Sequence, residues 1–299
     1  MFKIEETIFY EIINIKKLNY IINNISKYDE IIKKQEKDMR RTNKKNYNAY
    51  EVIQKIKNNV FIPNELKETD YGYLKITYKK GKLSNGIGRW YAYKGLGIQP
   101  LCACIRHTIC DGLWIDIDQV NSHPTILKTL MDKYNLKSSL LDECLTDRET
   151  FLNKVMIEEK CNRDDAKTKV IAVINGNKYS TPLLQELYSQ INPSINLIIN
   201  LPEYKDIYNY VKSQYKENIE GKTISRILQV IENQLLETYI EFFNDKGLIN
   251  KYNDGYELVL IFDGFQLRFN KAINDDLLNE CRLYSVSYTH LRAHETLRY

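Results

Sequence analysis

The sequence predicts an α+β fold, and three features point to it. Helical periodicity fills the middle of the chain, as in "NRDDAKTKVIAVINGN" (162–177) and "SRILQVIENQLLETYIEFF" (225–243). Runs rich in aromatic and β-branched residues flank that region: "YGYLKITYKKGKLSNGIGRWYAYKG" (71–95), "GLWIDIDQV" (112–120) and "YELVLIFDGFQLRF" (256–269). With 43% hydrophobic and 27% charged residues, the 299-residue chain can bury a core, as one large domain or two modest ones. No internal repeat is visible.

The elements follow in order. Residues 1–36 carry Ile, Leu, Phe and Tyr at helical spacings, which predicts one or two amphipathic helices. "KDMRRTNKKNYN" (37–48) is a basic linker, either a solvated run or a contact to phosphates. Residues 1–48 are therefore expected as a helical N-terminal segment with its linker, and 49–284 as the main body. Gly and Asn turn signals inside 71–95 predict strands or a hairpin, and a strand holding Asp116 and Asp118 follows. Pro124 suits the first turn of a helix, "PTILKTLMDKYN". Helices are expected near 146–160, 162–175 and 222–245, with 182–218 mostly helical but broken at Pro193 and Pro202. Residues 256–269 read as strand, turn and strand.

Composition narrows the setting. No apolar run is long enough to cross a membrane, and the charged N-terminus is unlike a signal peptide. Six cysteines without secretory features indicate reduced thiols and a cytoplasmic protein. A net charge of +4 permits nucleic-acid binding without requiring it. "VSYTHLRAHET" (286–296) resembles the translation of a transposon-end sequencing adaptor. Residues 285–299 are therefore expected to be an adaptor-derived artefact, with the natural protein continuing beyond Tyr284.

Two acidic sites stand out. Alternation along the strand puts Trp114, Asp116 and Asp118 on one face, and a buried, unpaired carboxylate is costly. That face meets either solvent or a cation. Asp263 ends the apolar run Leu258–Phe262, and Gly264 permits a tight turn. Asp263 either caps that turn while Asp118 faces water, or the two strands present carboxylates to Mg²⁺, which takes one or two carboxylates with waters and substrate phosphates. Arg163, Lys167, Ile171 and Asn175 recur every four residues, so they share a helix face that drifts by roughly 120°. The two cations could grip a triphosphate, or the helix is simply amphipathic with solvated charges.

In this order the motifs resemble the palm and fingers of family A DNA polymerases, and the related single-subunit phage RNA polymerases. "GRWYAYKGLGIQP" (88–100) with "IRHTI" is similar to the family's T-G-R-L-S-S…N-L-Q-N-I-P…I-R segment, and "DIDQVNSH" (116–123) to D-Y-S-Q-I-E-L-R. Arg163, Lys167, Ile171, Asn175 and Gly176 match the spacing of R-x3-K-x3-F-x3-Y-G. "SRILQVIENQLLETYIEFF" resembles the helix before the last motif, and "IFDGF" resembles V-H-D-E or H-D-S-F. The match covers about residues 85–270. The D-I-D-x-V-N-x-H-P signature with F-D-G is most like the transpoviron and virophage type, commonly fused to a downstream superfamily 3 helicase.

The resemblance implies a right-hand polymerase: an antiparallel palm sheet, helical fingers and a short N-terminal helical part. It implies a DNA polymerase of a virus or mobile element that extends a primer on a DNA template with dNTPs and two Mg²⁺ ions. Asp116 and Asp263 would be the catalytic metal ligands, with Asp118, in the family's serine position, as a third. Arg163 and Lys167 would hold the triphosphate, Lys167 also as general acid. Ile171, Asn175 and Asn121 would line the nucleotide pocket, while Arg89, Gln99 and Gln229 would contact primer or template.

Several positions depart from the family pattern. Asn121 stands where the family has the glutamate that excludes ribonucleotides, and Asn175 replaces an aromatic residue. Phe262 and Gly264 replace histidine and glutamate beside Asp263. A primase-like or RNA-synthesising activity therefore stays open, as do a metal-dependent nuclease and an inactive nucleic-acid-binding module. "CACIRHTIC" (102–110) offers Cys102, Cys104, His107 and Cys110 at a spacing tighter than zinc fingers use, so buried apolar thiols are the alternative. "EGKT" (220–223) ends like a phosphate-binding loop but lacks its first glycine. His123 either contacts phosphate or packs beside Pro124.

Overall fold

The computed structural model describes residues 3–34, 48–81 and 88–295, with side chains as far as Ser285. The basic stretch 37–48, apart from Asn48, lies outside the described residues, as do the side chains of 286–299. The chain divides into two compact units. The first comprises Met1–Gly81, Trp90–Asp118 and Leu235–Tyr299, and the second Lys82–Arg89 and Gln119–Gln234.

The first unit is α+β. Strand β1 (Ile8–Asn14) runs antiparallel to β2 (Tyr71–Ile76) and parallel to β7 (Gly255–Tyr256), which pairs antiparallel with β6 (Lys251–Tyr252). A two-stranded sheet joins β3 (Tyr78–Lys80) to β4 (Trp90–Ala92). A third, antiparallel sheet has the order β5 (Trp114–Ile117), β9 (Gly264–Arg268), β8 (Leu258–Ile261). Helices α1 (Ile15–Asn23), α2 (Ala49–Asn59) and α3 (Ala103–Cys110) complete the first part of this unit. Phe9, Ile13, Leu18, Leu74, Leu260 and Phe265 belong to its large core, and Tyr10, Ile12, Tyr73 and Leu113 form a smaller cluster.

β1 corrects the helical reading of the N-terminus. All five interior residues of "IFYEIIN" are buried, so neither strand face is exposed and the two-residue period is hidden. The helix begins only at Ile15, where the Asn14 side chain accepts from the Lys17 amide at 2.8 Å.

The second unit is helical: α4 (Ser122–Lys133), α5 (Ser139–Thr146), α6 (Arg148–Glu159), α7 (Arg163–Ile174), α8 (Pro182–Ile199) and α9 (Lys205–Gln214). Helix α10 (Ile219–Asp245) contributes residues 219–234 here and continues into the first unit; α11 (Asp275–Glu295) follows β9. Caps explain the short helices. Ser138, Asp147 and Asn162 each accept from the amide three residues on, stabilising each start by about 1 kcal/mol. Pro124 falls in the first turn of α4, as expected. Pro193 is a correction: α8 runs through it. Ile191, Ser194, Ile195 and Ile198 are buried around it, and their burial outweighs the cost of about 3 kcal/mol of an interior proline. The break comes before Pro202 instead.

Candidate active site

The three acids all lie in the first unit. β8 and β9 form a two-residue hairpin closed by the pair Ile261↔Gly264, which puts Phe262 and Asp263 at its turn. Phe262 adopts φ +54, an uncommon conformation for a bulky residue that costs about 1–3 kcal/mol. Its ring meets Tyr91 edge to face, with centroids 6.2 Å apart.

β5 pairs with β9 as Asp116↔Gln266 and Ile117↔Phe265, so Asp118 comes level with Gly264, next to Asp263. A Cβ at Gly264 would stand 2.6 Å from the Ile117 carbonyl oxygen and 3.0 Å from Asp118 Oδ1. Glycine is what lets the end of β5 approach the turn. Asp116 lies two residues back, roughly 7 Å along the strand. Its carboxylate accepts from Gln266 Nε2 across the pair. Asp116 and Asp118 are exposed and Asp263 is half-buried. The face that raised the question meets solvent, so no burial penalty has to be offset there. Among the described residues, no three His, Cys, Asp or Glu side chains gather closely enough to hold a metal. Two carboxylates with waters and phosphates still fit Mg²⁺, whereas a ready-made three-acid cage does not form.

The cations belong to the second unit. In α7, Ala166, Val170, Val173 and Ile174 are buried, while Arg163 and Lys167 are exposed and Ile171 is half-buried. Arg163 is bonded through Nε to Glu149 at 2.9 Å. Asn175 ends the helix and is half-buried; its Oδ1 is shielded and accepts no hydrogen bond among the described residues. Asn121 has φ +54 directly before α4, a left-handed conformation that asparagine tolerates.

Arg89 does not extend freely. Its Nε and Nη2 each lie 2.7 Å from Glu232 Oε2, a fully buried carboxylate on α10. The Ser122 hydroxyl donates to Glu232 Oε1 at 2.7 Å, and His123 Nε2 lies 3.5 Å from the same oxygen. His123 is thus buried beside an acid. Gln229 is half-buried and accepts from Arg226 at 2.7 Å.

Gln99 is a correction. Expected at the nucleic acid, it is buried, and its amide is taken up within the protein. It accepts from the Ala92 amide at 3.0 Å and donates to the Trp90 and Leu260 carbonyls, each at 2.9 Å.

The remaining motifs resolve as packing. Cys102 and Cys110 are buried, while Cys104 and His107 are exposed on α3. Burial pushes the Cys102 thiol up to about 11 and the Cys110 thiol higher still. "EGKT" lies inside α10. Its Gly221 is there for contact: a Cβ on Gly176 would come within 2.5 Å of the Gly221 Cα.

Sequence reasoning missed the buried acids, Glu232 and Glu11 foremost. Glu232 holds Arg89. Glu11, in the middle of β1, accepts from the Tyr78 hydroxyl and, at 2.7 Å, from the Ile98 amide. Burial lifts the Glu11 carboxyl to about 7, although both hydrogen bonds pull it down. A lone acid inside an apolar run, the signal that drew attention to Asp116, was present in "IFYEIIN" too.

No protein-family profile matches this chain, and no solved structure matches it. A curated protein does. The Sputnik virophage protein named "Putative helicase V13" is 26% identical over 231 residues, 73% of this chain and 29% of that protein. The chain therefore spans less than a third of the length of this relative. No described helix is long and apolar enough to cross a membrane.

Proposed function

We propose that this chain is the nucleotide-polymerising part of a viral or mobile-element replication protein, a right-hand polymerase of the family A type that extends a DNA primer on a template. The observation that carries the proposal is the register at the acidic hairpin, where Gly264 lets Asp118 stand beside Asp263. Asp118 and Asp263 are the nearer metal-binding pair, and Asp116, held by Gln266, extends the same acidic edge. Bound Mg²⁺, as two ions, would supply charge stabilisation at the transferred phosphoryl group and activation of the primer 3′-hydroxyl. The protein's own contribution is positioning. On the second unit, taken by itself, Arg163 and Lys167 are exposed cations of the kind that would bind a triphosphate, with Lys167 as the proton donor to pyrophosphate and Ile171 and Asn175 as the nucleotide-pocket positions that the family pattern implies. Glu232 orients Arg89, so the guanidinium acts on the primer as part of a neutralised pair. Likeness to a protein named as a helicase fits a polymerising segment borne on the same chain as a helicase region.

A primed DNA template, supplied with dNTPs or rNTPs with and without Mg²⁺, tests this. Mg²⁺-dependent extension is expected, with Asp263→Asn losing it at least about 100-fold while DNA binding survives. Loss of labelled DNA in the absence of nucleotides would instead identify a nuclease. Preference for rNTPs would identify the primase-like form, which Asn121 in place of the family's glutamate allows.

A further inference from the structure

β8 is an edge strand among the described residues: β9 covers one side of it, and no described strand of its own sheet covers the other. In a hairpin closed by Ile261↔Gly264, the next pair, Leu260↔Phe265, exchanges no ladder bonds. The Leu260 N–H and C=O therefore point away from β9, and a buried backbone pair of this kind needs partners. Both are found, and both are side chains. The Leu260 amide donates to the Tyr78 hydroxyl at 3.1 Å, and its carbonyl accepts from Gln99 Nε2 at 2.9 Å.

The two partners are themselves fixed. Tyr78 lies opposite Ala92 in the β3–β4 pair, and Gln99 is bonded to the backbone of Trp90 and Ala92 in β4. The Tyr78 hydroxyl donates its hydrogen to Glu11 Oε1, so a lone pair is left to accept from the Leu260 amide. Glu11 is gripped from its other oxygen by the Ile98 amide, and a Cβ on Gly97 would lie 3.0 Å from either carboxylate oxygen. Glu11, Tyr78, Gln99 and Leu260 are all fully or nearly fully buried.

We propose that Tyr78 and Gln99, backed by Glu11, are positioning residues that replace a missing neighbour strand along β8 and thereby fix the turn that presents Asp263. Leu260 is three residues from Asp263. Phe262 holds a strained backbone there, so a turn released at Leu260 has a driving force to relax. The inference about the acid's work rests on the proposed polymerase function; the inference about the turn does not.

Tyr78→Phe removes only the hydroxyl, and Gln99→Met removes only the amide, each at nearly constant volume. Amide hydrogen exchange is read at residues 260–264, and primer extension is titrated with Mg²⁺. Both variants should exchange about tenfold faster at the hairpin, with α6 and α8 unchanged. Both should need about fivefold more Mg²⁺ for half-maximal extension, recovering at saturating Mg²⁺ with the nucleotide KM unmoved. Faster exchange with an unmoved Mg²⁺ requirement would make the clamp merely structural and overturn the positioning role. Unchanged exchange at the hairpin in both variants would overturn the clamp itself. If the wild-type protein extends no primer, the polymerase assignment falls, and the exchange result alone decides on the clamp.

Discussion

The acidic hairpin and helix α7 carry the two halves of the proposed chemistry, and they are built by opposite means. Around Asp263, strand register, a glycine contact and buried side-chain bonds to Leu260 determine where each atom lies. Along α7, the buried side is fixed by Ala166, Val170 and Val173, while Lys167 is exposed and Arg163 is held only by an exposed pair with Glu149. The hairpin is preorganised; the helix offers charge that a ligand would have to order. Removing a part of the first should disturb structure and activity together. Removing a part of the second should alter binding alone.

The largest effect is expected at the turn. Gly264→Ala drives a methyl group into the Ile117 carbonyl, and β5 or the turn must shift. Thermal unfolding should show a loss of about 2–3 kcal/mol, and extension should fall together with stability. Gly176→Ala makes the same point in the second unit, through the clash with Gly221 and a φ of +80. It should cost a similar amount. Next come the acids. If register decides, Asp118→Asn should reduce extension more than Asp116→Asn, by about tenfold in kcat at limiting Mg²⁺. The reverse order would return Asp116 to the first place.

pH sharpens the contrast through Glu11, whose buried neighbours include the Tyr78 hydroxyl and the Cys110 thiol. Its carboxyl is raised from 4.5 to about 7, so between those values the folded chain holds a proton that the unfolded chain has lost. Stability should therefore be highest at the acid end and decline as pH rises through that window, by at most about 3 kcal/mol from this residue. Denaturant unfolding at pH 5 and pH 8 should show a flatter dependence for Glu11→Gln. The smallest structural effect belongs to α7. Arg163→Ala breaks only an exposed pair with Glu149, so the melting temperature should not move, while the nucleotide KM rises severalfold.

The same contrast explains what could be read from the sequence. β5, β8 and β9 were visible because apolar runs stop at an acid or a glycine, and α7 because Asn162 and Gly176 bracket it. β1 was hidden because both of its faces are buried, and α5 because it is only eight residues long. Gln99 could not be read correctly from its neighbours: its partner Leu260 is 161 residues away. Glu232 was masked in the same way, since Arg89, Ser122 and His123 reach it only through the fold.

The side chains laid against Leu260 also bear on solubility. A bare sheet margin is a template on which another chain can add a strand, and proteins commonly blunt it with charge, proline or a bulge. Here a tyrosine and a glutamine close it from within the same molecule. Because β8 is buried, another chain can reach this margin only when the first unit opens locally, so variants that promote such opening should precipitate at concentrations the intact protein tolerates.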